Sequence, residues 1–171
     1  TEKETKALSP DEQQEKKTSI DLAKIEWTDL GGLPCVGDGR AEIKRMAFLL
    51  ADTLKNVRSA QGNEEVILLL DVSILSDMKC PQIGFVIYNQ QGLAAAHTNN
   101  DICDAHLVSL TKGQNNCMVF RFRLPSLANG HYIFNFGMQT GLNMAHKIDY
   151  AYEFNVARTD AEATQCGYSI I

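Results

Sequence analysis

No stretch of this chain approaches the roughly 20 consecutive apolar residues that a membrane-spanning helix requires, and no charged-then-apolar leader opens it. A soluble protein is expected. Basic residues are also scarce: 16 Lys and Arg against 21 Asp and Glu give a net charge of -5 and a pI near 5.3. Phosphate binding needs a concentrated Lys and Arg surface, so nucleic acid is not an expected partner. The sharp enzymatic signatures are missing as well. There is no GxxxxGK followed by Ser or Thr, no GxGxxG after a strand, no HExxH and no GxSxG. Gly37-Asp38-Gly39 leads into a strand pattern, whereas a phosphate loop would need a helix directly after it. Finally, no CxxC pair occurs among the five cysteines, Cys35, Cys80, Cys103, Cys117 and Cys166, and their number is odd. That scatter suits a reducing compartment, with the cysteines read as small apolar residues in or near the core.

What is present is strand pattern. With 171 residues and 44% hydrophobic content, the chain can bury one sizeable core and is short for two. The opening stretch, Thr1 to Lys17, is nearly all charged or polar and has too little apolar surface to offset its ordering entropy. It reads as a linker cut from a longer protein. Ser19 to Trp27 is amphipathic as either helix or strand, and Gly31 to Pro34 is a break. From Gly37 onward apolar residues alternate with polar ones, in runs bounded by turn residues: Ala41–Leu54, Glu64–Ser76, Ile83–Tyr88, Leu93–Thr98, Cys117–Leu124, His131–Thr140 and Lys147–Val156. Pro81 to Asn100 is the clearest unit, a hairpin turning at Asn89–Gly92 and ending in the polar lip His97 to Asn100. Ile83, Phe85 and Ile87 share one face of its first strand, Gly84, Val86 and Tyr88 the other. In the last strand Ile148, Tyr150, Tyr152, Phe154 and Val156 are expected inward. About seven strands at this spacing mean an all-β antiparallel sandwich or barrel, and scarce helical pattern disfavours a parallel sheet. The tail ends in Cys166-Gly-Tyr-Ser-Ile-Ile171. So apolar an ending is expected to dock on a sheet, in cis or, by strand exchange, on a second copy.

Chemistry is harder to place. Asp101, Cys103, Asp104 and His106, with His97 nearby, lack the paired spacing of a zinc site, and exposed loop polarity is the simpler reading. His97, His106, His131 and His146 accompany no evident nucleophile or triad. No metal, cofactor or catalytic residue is therefore expected. Sugars are held by planar rings against their C–H faces and by amides, carboxylates and guanidinium groups that reach several hydroxyls. The strands offer such a set: Arg121, Arg123, His131, Asn135 and Gln139 on the outward faces of two strands taken to be adjacent, with Tyr88 and His97 beside them. Trp27, the sole tryptophan, is either a sugar platform or a residue packed at the core edge.

Gly37-x-Gly39-x-Ala41-x-Ile43, Ile83-Gly84-Phe85, Gly92, His97-Thr98-Asn99, Gly130-x-Tyr132 and His146-x-x-Asp149-x-Ala151-x-x-Phe154-x-Val156 occur in an order that resembles the C-terminal carbohydrate-binding domain of Wzt proteins. Those are the ATPase subunits of ABC transporters that export O-antigen polysaccharide in Gram-negative bacteria, and the resemblance spans about Gly37 to Val156. It implies an immunoglobulin-like β-sandwich. Residues 1–30 would be the lead-in from an upstream ATPase domain and residues 31–171 the binding domain with its C-terminal docking strand. The implied function is non-catalytic recognition of the exported O-antigen polysaccharide, at its non-reducing end. Implied partners are a second copy and a transmembrane permease subunit, with the chain cytoplasmic, at the cytoplasmic face of the inner membrane. Two other classes stand beside this one: an acid/base glycan-processing enzyme on a sandwich, and a purely structural dimerisation module.

Overall fold

A computed structural model describes residues 20–158; the polar opening stretch and the apolar tail lie outside them. The residues expected to be amphipathic before Trp27 form a 3-10 turn (Leu22–Lys24), capped by the Asp21 carboxylate on the Ala23 amide. Twelve strands follow among the described residues: β1 (Thr28–Asp29), β2 (Cys35–Val36), β3 (Ala41–Leu50), β4 (Ser59–Ala60), β5 (Glu65–Ile74), β6 (Met78–Lys79), β7 (Pro81–Asn89), β8 (Ala94–Asn99), β9 (Ser109–Leu110), β10 (Asn115–Arg123), β11 (Gly130–Thr140) and β12 (Asn143–Val156). Each long run of alternating sequence became a strand, with ends shifted by a few residues. The first shortens from Leu54 to Leu50, where the chain turns through Leu54 at φ 55°.

Two sheets face each other. One has the order β1-β3-β5-β10 and the other β2-β12-β11-β7-β8, with β4 alongside β12, while β6 and β9 pair as a short ribbon. We call the first the A sheet and the second the B sheet. Their inner faces meet over Ile43, Met46, Phe48, Leu68, Leu70 and Phe120 from the A sheet and Ile83, Phe85, Phe134, Phe136, Ile148 and Phe154 from the B sheet. All seven phenylalanines of the sequence enter this interface, and Phe134 lies at its centre. Its ring centroid is 5.0 Å from Phe48 across the sandwich, and 5.4 Å from both Phe85 and Phe154. Apolar burial on this scale is the main term that holds the sheets together.

The outer face of the A sheet carries a second, smaller apolar layer. Ala47, Leu49, Ile67 and Leu69 are covered by Ile20, Ile25 and Trp27 from the lead-in. Arg45 stacks on the Trp27 ring at 4.4 Å and pairs with Asp71 at 2.7 Å, and Trp27 Nε1 donates to the Leu22 carbonyl. The lead-in is thus a strap bound across the back of one sheet. Of the four described cysteines only Cys117 is half-buried, in this layer, where burial pushes its thiol up to about 11. Cys35, Cys80 and Cys103 are exposed, which corrects their reading as core residues. They fall in short edge strands and turns that have no inward face to offer.

Gly37 and Gly39 take their roles from β12. The Asp38 and Gly39 amides donate to the Met144 and Ala145 carbonyls, so this segment lies against the β12 backbone with no room for a side chain at Gly37. Beside it the buried His146 Nδ1 accepts the Ile43 amide at 3.0 Å, a hydrogen bond running from one sheet to the other. An acceptor Nδ1 requires the neutral ring, and burial moves the His146 pKa down in the same sense, against a small opposing effect of Glu42.

Candidate functional site

The outer face of the B sheet is a lattice that the pairing register defines. Across β11 and β7, Gln139 faces Gln82, Gly137 faces Gly84, Asn135 faces Val86 and Ile133 faces Tyr88. The lattice continues outward on both sides, with Lys147 beside Gly137, His97 beside Val86 and Asn99 beside Gly84. Two glycines in adjacent strands leave the middle low and raise a rim around it. The result is a groove of about 230 Å3 lined by Gln82, Tyr88, His97, Asn135, Gln139 and Lys147, with Gly84 and Gly137 in its floor. Only at Gly84 does the backbone of β8 press close, since a Cβ there would lie 2.2 Å from the Thr98 carbonyl. That approach holds the His97 lip against the groove.

Its polar groups are fixed by one another. Gln139 Nε2 donates to Gln82 Oε1 at 2.9 Å, and Gln82 Nε2 donates in turn to Asp101, which also pairs with His106. These bonds, led by the one from Gln82, lower the Asp101 pKa. On the opposite wall Lys147 pairs with Asp149 at 3.0 Å, and Asn135 Nδ2 donates to the same carboxylate at 2.7 Å. Preset amides of this kind reach a ligand with little further ordering cost. Among the described residues no cluster of three or more His, Cys, Asp or Glu side chains has the geometry of a metal site.

Of the residues singled out from sequence, Tyr88, His97, Asn135 and Gln139 come together here. Arg121 and Arg123 do not. They were expected beside His131, Asn135 and Gln139, but β10 belongs to the A sheet and β11 to the B sheet, so the two strands are not neighbours. The connection through Leu124 and Pro125 crosses from one sheet to the other, and Arg123 instead pairs with Glu65 at 3.0 Å. His131 shares the strand but sits at its far end, with Asn155 and Glu153. Trp27 lies across the molecule on the A sheet. Asn99 joins from the polar lip, and Gln82 and Lys147 complete the lining and were not singled out. Gln82 was within reach, one step further along the outward set of Gly84, Val86 and Tyr88.

A second opening lies at the sandwich edge, where β8 and β10 end their sheets among the described residues. It measures about 500 Å3 and is lined by inward side chains such as Phe85, Leu107, Met118, Phe120 and Phe122, with Arg121 and Arg123 at its border.

The sequence pattern of the Wzt C-terminal domain matches residues 36–168. This chain belongs to the Wzt C-terminal domain family. Its fold is that of the crystal structure of the C-terminal domain of Wzt, with a TM-score of 0.64 at 23% identity over 79% of this chain and 88% of that one. The antiparallel, immunoglobulin-like β-sandwich expected from sequence is therefore the fold observed. A Bacteroides fragilis structure assigned provisionally to the β-galactosidases aligns over 64% of this chain and 15% of its own, at 8% identity, but its TM-score of 0.43 carries no argument. Comparison with curated proteins returned no match. Membership sets the Wzt-like chain in the context of an O-antigen ABC transporter module. No helix among its described residues is long and apolar enough to cross a membrane.

Proposed function

We propose that this Wzt C-terminal domain is a non-catalytic carbohydrate-binding module that recognises the O-antigen polysaccharide, at its non-reducing end, and makes export selective for it. The observation that carries this reading is the glycine-floored groove on the B sheet, rimmed by Tyr88, His97, Gln82 and Gln139. Amides with paired donors and acceptors match vicinal hydroxyls, and an aromatic ring matches a sugar's C–H face. Glycoside hydrolysis generally calls for two carboxyl groups flanking the bond. Among the described residues that line the groove none is a carboxylate, and Asp149 beside it is already bound by Lys147 and Asn135. In this reading the chain is cytoplasmic and is carried to the inner membrane by an ATPase domain and its permease partner.

Titrating purified O-polysaccharides with defined termini, followed by calorimetry and NMR, tests it. Saturable binding without product is expected, and Gln139→Ala should weaken it about 5- to 20-fold, the equivalent of one to two hydrogen bonds, with little change in melting temperature. Turnover of the glycan would favour the enzyme class. Failure of every glycan to bind would overturn the module.

The partner expected from sequence is a second copy, and the edge cleft supports a place for it. The last described residues reach its border: the Arg158 amide donates to Asn129 Oδ1 and its guanidinium to Ser126, next to Pro125 in the cleft lining. The sequence beyond Arg158 includes Tyr168, Ile170 and Ile171, side chains of the type that an apolar cleft between two outermost strands takes up. We propose that it docks on the partner copy. A chain ending at Asp160 should then run as a monomer in size-exclusion chromatography with light scattering, and an unchanged dimer would sink the idea.

A further inference from the structure

Tyr150 is expected inward from the alternation of β12, and the structure turns it out. Phe134 pairs with Tyr152 and Phe136 with Ile148, so residues 149–151 all oppose the single residue Asn135. Within this bulge Tyr150 adopts φ 56°, a left-handed conformation that is an outlier for a bulky side chain. Its side chain is 71% exposed, whereas Tyr132 and Tyr152 are buried. The strain is held in place by one amide. Asn135 Oδ1 accepts the Tyr150 amide at 2.9 Å while Asn135 Nδ2 donates to Asp149, so both ends of that side chain are committed to the bulge.

Holding a large ring in solvent by a strained backbone contributes nothing to the core, and such strain persists where the surroundings over-determine it, often at ligand sites. What the ring borders is a cleft of about 280 Å3. Tyr88 and Tyr150 line it together with Ile133 and the Asn89 and Gln90 side chains, and it joins the glycine-floored groove through Tyr88 and Asn135. We infer that Tyr150 is a stacking platform for one sugar residue, with Tyr88 as the facing wall and Asn135 as the positioning residue that presents the ring. The Lys147–Asp149 pair offsets the charge beside it, so the residue accepted is a neutral pyranose, and the glycan continues over Gly137 towards Gln139. This inference rests on the carbohydrate-binding reading and adds to it a second sugar subsite.

Tyr150→Gly separates ring from backbone, because glycine suits φ 56° without strain. Its melting temperature should equal or exceed that of the wild type, while affinity for the source strain's purified O-polysaccharide falls about ten-fold or more, and Tyr150→Phe should keep wild-type affinity. Asn135→Ala should weaken binding in the wild-type background and have no further effect on top of Tyr150→Gly, a dependence that a merely structural role would not produce. The inference is overturned if Tyr150→Gly binds like wild type while Gln139→Ala is impaired, an outcome that leaves the module itself standing. It is likewise overturned if Tyr150→Gly loses affinity only in step with stability. If the wild type binds none of the polysaccharides, both readings fall.

Discussion

Phe134→Ala is expected to lower the free energy of unfolding by about 3–5 kcal/mol, measured by urea denaturation. Phe134 is fully buried, and its ring meets Phe48 edge-on across the sandwich, Phe136 beside it at 5.6 Å, and Phe85 and Phe154 on its flanks. Truncation removes the transfer energy of a whole ring and leaves a void bordered by four other rings. Those neighbours belong to β3, β7, β11 and β12, so no single strand can move in to fill it. Phe122→Ala provides the contrast. Phe122 is half-buried at the open edge and, among the described rings, meets Phe85 alone, in a tilted contact at 5.1 Å, and should show a clearly smaller loss. Similar losses at both sites would mean that the core is not centred where the structure puts it.

Gly37→Ala is expected to cost roughly 3 kcal/mol or more, from two independent causes. At φ 142° a side-chain-bearing residue is strained by about 1–3 kcal/mol. In addition, the new Cβ would stand 2.3 Å from the Ala145 carbonyl oxygen and 2.9 Å from the His146 amide nitrogen, both backbone atoms that cannot rotate aside. Relief requires β12 to move away from the 37–39 segment, which breaks the hydrogen bonds from Asp38 and Gly39. Gly39→Ala isolates the first cause, because Gly39 has φ 80° but nothing within 4 Å of its missing Cβ. Thermal melts should therefore rank Gly37→Ala well below Gly39→Ala. Hydrogen exchange should locate the damage at the Gly39 and Ile43 amides, and equal melting temperatures for the two variants would contradict the close approach.

Most of the fold was legible because period-two alternation reports directly on which side of a strand is buried. Ile83, Phe85 and Ile87 in β7 and Phe134, Phe136 and Met138 in β11 are inward as expected. Alternation is silent on which sheet a strand joins. That is why Arg121 and Arg123 looked like neighbours of Asn135, although the turn at Leu124–Pro125 is an arch between layers rather than a hairpin. Tyr150 was lost for another reason: a bulge resets the register within one strand, and the residue that stabilises it, Asn135, is distant in sequence. Trp27 was ambiguous because the layer it covers, Leu49, Ile67 and Leu69, occupies the positions of β3 and β5 that strict alternation would assign to solvent. A strand buried on both faces leaves no polar rhythm to read.

The strap formed by residues 20–29 has a mechanical consequence. It is fastened to the outside of the A sheet, and the groove opens on the outside of the B sheet, so whatever pulls on the chain before Ile20 acts on the opposite side from the groove. Tension there meets the packing of Ile20, Ile25 and Trp27 on the A sheet first and then the short β1–β3 pairing, not β7, β8 or β11. A glycan bound as proposed on the B sheet would therefore lie on the opposite side of the sandwich from the point where the strap begins.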